Sequence, residues 1–378
     1  MSLNTTPLPP SMAWLEAIRR PQAALAWSLE EWERVIRLSR RLRLLGRLAE
    51  AMEAAGLMQQ LPAPAARHLG AEMRFSRWRT NSLRWTLERI TATLRDAPYP
   101  LVLLKGAAYI GQELPIASGR LSSDLDILVP QAHLADAQAR LVATGWVEQE
   151  LDEHDQRYYR EWSHEVPPMR HPVLEMELDL HHNILPPVAH THVDAGLLLQ
   201  RLQPSGLGPW KVFHPQDQVL HSACHLFHDS EARDRLRDLV DLDGLLRHFG
   251  AQDGFWQGLS GRAAELGLSE PLALACQFAE QWLQTPIPAQ AREQIRNAGP
   301  SRLKRAWLHP LMKHLLTPTE PDFEHGWRQD LAAQALLVRY HYRRMPLRIL
   351  LPHLWHKYWA GRRAAADQAD AAAIKALE

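Results

Sequence analysis

The sequence predicts an α+β fold, a small mixed sheet set between two helical regions. Two observations carry this expectation. Helical patterns occupy about 12–96 and return from about 192, with leucines at three- and four-residue spacing in the first of them. Between the two, short apolar runs at 101–104 and 125–129 and a clean alternation at 173–181 give the period of strands, interleaved with helical stretches. The domains expected are 1–98 helical, 99–191 the α/β core, 192–363 helical and 364–378 an alanine-rich tail.

In chain order, residues 1–11 read as a loose leader with prolines at 7, 9 and 10. Ser28-Leu29-Glu30-Glu31 offers a capping box for a helical run to about Gly56, which Pro62 and Pro64 end. A long helix is expected over 65–95, with Arg74, Arg77, Arg79, Arg84 and Arg89 on a solvated face. The core then reads as strand 101–104, helix 107–113, strand 125–129, helix 131–143, strand 146–150, a further strand at 157–162 and strand 173–181. Helices are expected at 215–229, 231–249, 252–267, 270–284, 300–315, 324–341 and 346–363, with one more strand at 210–213.

Basic and acidic residues balance at 43 each, so no global field recruits nucleic acid or a membrane, and a polyanion site must be local. Two cysteines, Cys224 and Cys276, exclude a disulfide framework and suit a reducing interior. The start of the chain lacks the pattern of a signal peptide, and no apolar run reaches 18 residues; a cytoplasmic location is expected.

The chemistry is concentrated in Ser123-Asp124-Leu125-Asp126-Ile127-Leu128-Val129. Alternate residues of a strand share a face, so Asp124 and Asp126 point the same way, with Cα atoms roughly 6–7 Å apart. Two like charges in an apolar run are costly unless a cation neutralises them, so the pair asks for a metal. Three further parts are needed nearby. A third carboxylate comes from the polar face of 173–181, with Asp179 preferred and Glu177 in reserve. Lys105-Gly106-Ala107, between a strand and a helix, suits a backbone cradle for phosphates. Arg120, Ser122 and Ser123 supply a guanidinium and hydroxyls on the approach to the acids.

These residues resemble the DNA polymerase β-like nucleotidyltransferase superfamily, and within it the bacterial uncharacterised nucleotidyltransferase family proteins. Gly106-Ala107 matches the small-residue turn, Asp124 and Asp126 the acid pair, and Asp179 the third acid. Leu104-Lys105-Gly106, Arg120 and Asp179-Leu180-His181 match features of the closer group; the motifs cover 101–182. Ala107 replaces the usual serine or glycine, and the spacer before Asp124 is longer than in minimal forms. The resemblance implies an NTP donor and a hydroxyl acceptor. It also implies two Mg²⁺ ions, with Mn²⁺ as a substitute, held by Asp124, Asp126 and Asp179, and release of pyrophosphate. The alternative is a non-catalytic nucleotide-sensing or partner-binding protein on a decayed transferase fold.

Outside the motifs, His221, His225 and His228 share a helical stripe; His221 and His225 are expected to line the cleft, and a zinc site on the three is a weaker reading. The charged run 233–243 reads mainly as a solvated face, although Asp238 and Asp241 share a stripe and are kept as site candidates. Residues 331–363 hold seven Arg and Lys and no acid. A basic face packed on the domain by its aromatics is favoured there over nucleic-acid or membrane contact.

Overall fold

The computed structural model describes residues 10–174, 176–228, 234–319, 326–356 and 359. The start of the leader, Glu175, Arg233 and the alanine-rich tail lie outside the described residues. Seven short strands form one mixed sheet: β1 (Val102–Leu103), β2 (Asp124–Leu128), β3 (Val147–Glu148), β4 (Met169–Arg170), β5 (Glu177–His181), β6 (Gln203–Pro204) and β7 (Lys211–Val212). Their order is β3-β4-β5-β2-β1-β7-β6, and helices lie at both ends of the chain, an α+β fold. β2 runs parallel to β5 and antiparallel to β1, so the sheet's centre is formed by the two strands that carry the candidate acids.

The register decides what faces what. Asp124 sits opposite Glu177, Asp126 opposite Asp179 and Leu128 opposite His181. The alternate residues Leu125, Ile127, Leu178 and Leu180 are fully buried on the other face, where the apolar core anchors both strands. A slip by one residue would send these leucines and isoleucine to the polar side, so burial fixes the pairing.

Four differences from the sequence reading have physical causes. Residues 157–162 are not a strand: the helix Glu153–Glu161 covers them, capped by the Asp152 carboxylate accepting from the Asp155 N–H and laced by an Arg157–Glu161 pair. The strand expected over 173–181 pairs only from Glu177, although Leu174 and Met176 still point inward. The sheet does not stop at 191, because β7 pairs in parallel with β1 and brings β6 with it. The helical run from Ser28 to Gly56 is broken near Arg43, whose φ of 56° is left-handed, giving helices Leu29–Arg41 and Leu45–Ala54, and a separate helix Pro10–Arg19 precedes them. The capping box at Ser28 and Glu31 forms as expected.

Both helical regions close on the sheet through one continuous apolar core. The helix Leu45–Ala54 meets the loop before β2 where Gly46 and Gly119 touch backbone to backbone, an approach that any Cβ would block. Arg47 donates to the Ser118 carbonyl at 2.9 Å, and Arg79, from the long helix Ala63–Thr93, donates to the carbonyls of Ser122 and Ser123. On the other side, helix Pro215–Phe227 is almost entirely buried between Leu236–Gly250 and Ser269–Leu283. Its Asp217 is fully enclosed and gripped by both arms of Arg262, at 2.6 and 2.9 Å.

The basic segment that begins near residue 331 has an internal partner. Arg339 and Arg343, on helix Trp327–Arg344, converge with Lys304 on Glu270, while Arg344 contacts Tyr158 and Tyr340. Lys357, Arg362 and Arg363 lie outside the described residues. Among the described residues no helix is long and apolar enough to cross a membrane.

Candidate functional site

The polar face of β2 opens into a cavity of about 450 Å³. Its floor is Asp124, Asp126 and Lys105; its walls include Arg120, Ser123, Tyr109, Ser222, His225, Asp238 and Asp241; its rim carries Arg41, Arg43, Asp234, Arg235 and Arg237. Three parts of the chain that are far apart in sequence therefore meet over one acid pair.

Lys105 leaves β1 with a φ of 44°, a left-handed conformation that costs a lysine about 1–3 kcal/mol. In return its Nζ lies 2.7 Å from Asp126 Oδ1, and the Nε2 of His181 is 3.1 Å from the same oxygen. Burial alone would raise the pKa of Asp126, but Lys105 and His181 outweigh it and hold the carboxylate well below its usual range. Burial would lower Lys105 and His181; Asp126 leads the interactions that raise both. Asp179 has the opposite fate. Burial and the charge of Asp126 push its pKa up to about 7, since it neighbours acids and, among the described residues, no Lys or Arg bonds to it. The Ser123 hydroxyl donates to Asp124 Oδ1 at 3.2 Å and accepts from Arg43 at 2.7 Å.

The phosphate-cradle residues are placed less openly. Gly106 and Ala107 are buried in helix Lys105–Gly111 and do not line the cavity. Gly106 is required for another reason: a Cβ there would run into the guanidinium of Arg120 and the hydroxyl of Ser122. Arg120 reaches the cavity wall, yet it is buried, with Nε donating to Asp241 Oδ2 at 2.9 Å, Nη1 to Ser122 Oγ at 2.7 Å, and its plane over Tyr109. Tyr109 is held protonated far above the usual phenol range, by burial first and by Asp241 next.

Asp238 and Asp241 correct the reading of their helix as a solvated face. They are buried on the cavity side of Leu236–Gly250, because Arg120, Arg235 and Arg237 neutralise them there. The three histidines diverge. His225 lines the cavity, and burial together with Lys105 lowers its pKa to about 3. His221 is buried beside Phe213, away from the cavity wall, and His228 is lowered to about 3 by burial and by Arg343 and Arg339. His181 lies beneath Asp126 rather than in the cavity.

The sequence reading missed the rim: Arg41, Arg43, Arg235 and Arg237. The cluster Arg40-Arg41-Leu42-Arg43 at a helix end was the available signal, but its distance from the acid pair in sequence concealed its role. It also missed His164 and Glu165, which approach His181 from the segment before β4.

A family model described as an uncharacterised nucleotidyltransferase matches residues 28–284. The chain belongs to that family. No curated protein and no solved structure matches it. The match includes every residue of the cavity, from Arg41 to Asp241. Nucleotidyl transfer is thus the general function of this nucleotidyltransferase family member, and an NTP is the substrate that membership implies.

Proposed function

We propose that this protein moves a nucleoside monophosphate from an NTP to a hydroxyl acceptor, and that it does so in the manner of the DNA polymerase β-like superfamily. The observation that carries the reading is the parallel pairing of β2 with β5, which sets Asp126 beside Asp179 on the face that Asp124 shares. Carboxylate oxygens are the donors a hard divalent cation takes. The crowding that lifts Asp179 is relieved by a cation placed among the three acids, so the residues present fit Mg²⁺. Asp124, Asp126 and Asp179 would hold it, two ions being the number the superfamily resemblance implies. Bound there, Mg²⁺ would neutralise phosphate charge and stabilise the entering and leaving oxygens.

The chain's own groups supply the rest. Arg41, Arg43, Arg235 and Arg237 at the rim attract and orient the triphosphate tail. The acceptor oxygen forms a bond to the α-phosphorus as the bond from that phosphorus to the β-phosphate oxygen breaks. Pyrophosphate departs with the electron pair, and the hydroxyl proton passes to the Asp179 carboxylate. We assign that proton to Asp179 because the strand register sets this carboxylate beside Asp126. His225, kept neutral by burial, can hydrogen-bond substrate without repelling the rim's cations.

Calorimetry with Mg²⁺ and each NTP in turn, followed by a pyrophosphate-release assay over a panel of hydroxyl acceptors, tests the proposal. Binding by the wild-type protein and loss of binding in an Asp124→Ala, Asp126→Ala double variant is the expected result. Equal binding by both proteins would overturn it. Binding without pyrophosphate release would favour the nucleotide-sensing alternative.

A further inference from the structure

Behind the acid face, His181 is the meeting point of two groups. Its Nε2 lies 3.1 Å from Asp126 Oδ1, while its Nδ1 turns towards the segment before β4 and lies 3.3 Å from Glu165 Oε2, without the alignment of a hydrogen bond. His164 stands beside it with ring centroids 5.5 Å apart, and the His164 carbonyl accepts from the His182 N–H at 2.8 Å, which ties the two segments together. His164 and His181 are both more than nine-tenths buried. The Nδ1 atoms of both rings are shut off from solvent and have no hydrogen-bond partner among the described residues. A buried polar nitrogen left unpaired is costly, so two of them in one place call for an occupant.

One ligand atom from each of His164, Glu165 and His181 lies within 4.8 Å of the others. We propose that these three residues bind one transition-metal ion of the zinc class, at a site separate from the carboxylates Asp124, Asp126 and Asp179. The donor chemistry selects the ion. Two imidazole nitrogens and one carboxylate oxygen suit zinc or its neighbours, whereas Mg²⁺ takes oxygen donors. Asp126 also backs the site: it accepts the proton on Nε2 of His181, which fixes the tautomer and leaves the Nδ1 lone pair to the ion, as carboxylate-backed histidines do. Glu165 is only half-buried and is the side chain able to close on the ion as it enters. Three protein ligands leave a tetrahedral ion one open position. Because His181 touches Asp126, occupancy of this site sets the hydrogen bond beneath the acid pair. The inference does not depend on nucleotidyl transfer.

Protein made without a histidine tag and dialysed against a chelator is titrated with Zn²⁺ in competition with a chromophoric chelator, and with Co²⁺ for its visible ligand-field bands. The wild type is expected to take one equivalent in competition with the chelator. His164→Ala and Glu165→Gln are each expected to weaken binding by more than about tenfold, with circular dichroism confirming that both fold. Glu165→Gln, at a half-buried position, decides the matter if His164→Ala does not fold. Asp124→Ala should bind zinc as the wild type does while losing Mg²⁺-dependent NTP binding, so failure of the zinc site and failure of the transferase reading give different results. No uptake by the wild type, uptake unchanged in Glu165→Gln, or loss of uptake in Asp124→Ala to the same extent would overturn the proposal.

Discussion

Glu270 and Asp179 are both carboxylates drawn into the protein, and their pKa values move in opposite directions. Burial would raise that of Glu270, but Arg343, Lys304 and Arg339 outweigh it and bring it down to about 2. Burial raises that of Asp179 too, and there the neighbouring acids add to it, reaching about 7. The cations outnumber the acid at Glu270, whereas the charges that act on Asp179 are mostly acids, Asp126, Glu165 and Asp124, against His181 alone. A saturated cluster of the first kind joins helices Ser269–Leu283, Arg302–Leu316 and Trp327–Arg344 and has no capacity left for a ligand. An under-compensated one stores unfavourable energy that an arriving cation releases. The contrast separates a closed ionic latch from a carboxylate that a cation would stabilise, without reference to any relative.

The largest expected effect tests the site side of this contrast. Asp126→Asn should lower nucleotidyl transfer by at least about a thousandfold in a steady-state assay, with a circular dichroism spectrum like that of the wild type. The latch side should behave in reverse. Glu270→Ala leaves two largely buried guanidiniums facing each other and should cost about 3 kcal/mol in urea denaturation, while the folded fraction keeps its activity.

Acid and base titrations of stability sharpen the difference further, since the two carboxylates contribute with opposite sign. The folded pKa of Glu270 lies below its ordinary 4.5, so its stabilisation is present above that pH and is lost as pH falls towards about 2. Asp179's folded pKa exceeds its ordinary 3.8, so without divalent ions stability should fall as pH rises from about 4 to about 7, and adding Mg²⁺ at pH 8 should restore it. Chemical denaturation across pH should show the acid limb flatten in Glu270→Gln and the neutral limb flatten in Asp179→Asn. The smallest effect is at the rim: Arg43→Ala should raise the KM for NTP roughly fivefold, equivalent to about 1 kcal/mol for one charge-assisted contact. Its unfolding midpoint should hardly move, because exposed pairs contribute little to stability.

How much of this was written in the sequence differs between the two regions. Asp124 and Asp126 were legible because a strand's period of two and the cost of buried like charges are local facts. The β2 and β5 faces followed from alternation alone, and burial of Leu125, Ile127, Leu178 and Leu180 agrees with it. The same local logic misjudged 157–162, where a capping aspartate and an i,i+4 ion pair favour a helix. Packing of the basic run on the domain is expected from its aromatics, but local logic could not name Glu270 as the acid beneath Arg339 and Arg343.

By itself the sequence determined the helical flanks, the small mixed sheet and the two acids that share one strand face, since each depends on periodicity or on residues a few positions apart. The tertiary structure decided the partners. It placed Lys105 and His181 on one oxygen of Asp126, took Arg120 away to Asp241, and turned Asp238 and Asp241 inward. It brought Arg41 and Arg43 to a cavity whose acids lie some eighty residues downstream. The physical reason is the same in each case. The state of a charged group is set by what lies within a few ångströms of it in space, and chain connectivity does not carry that information.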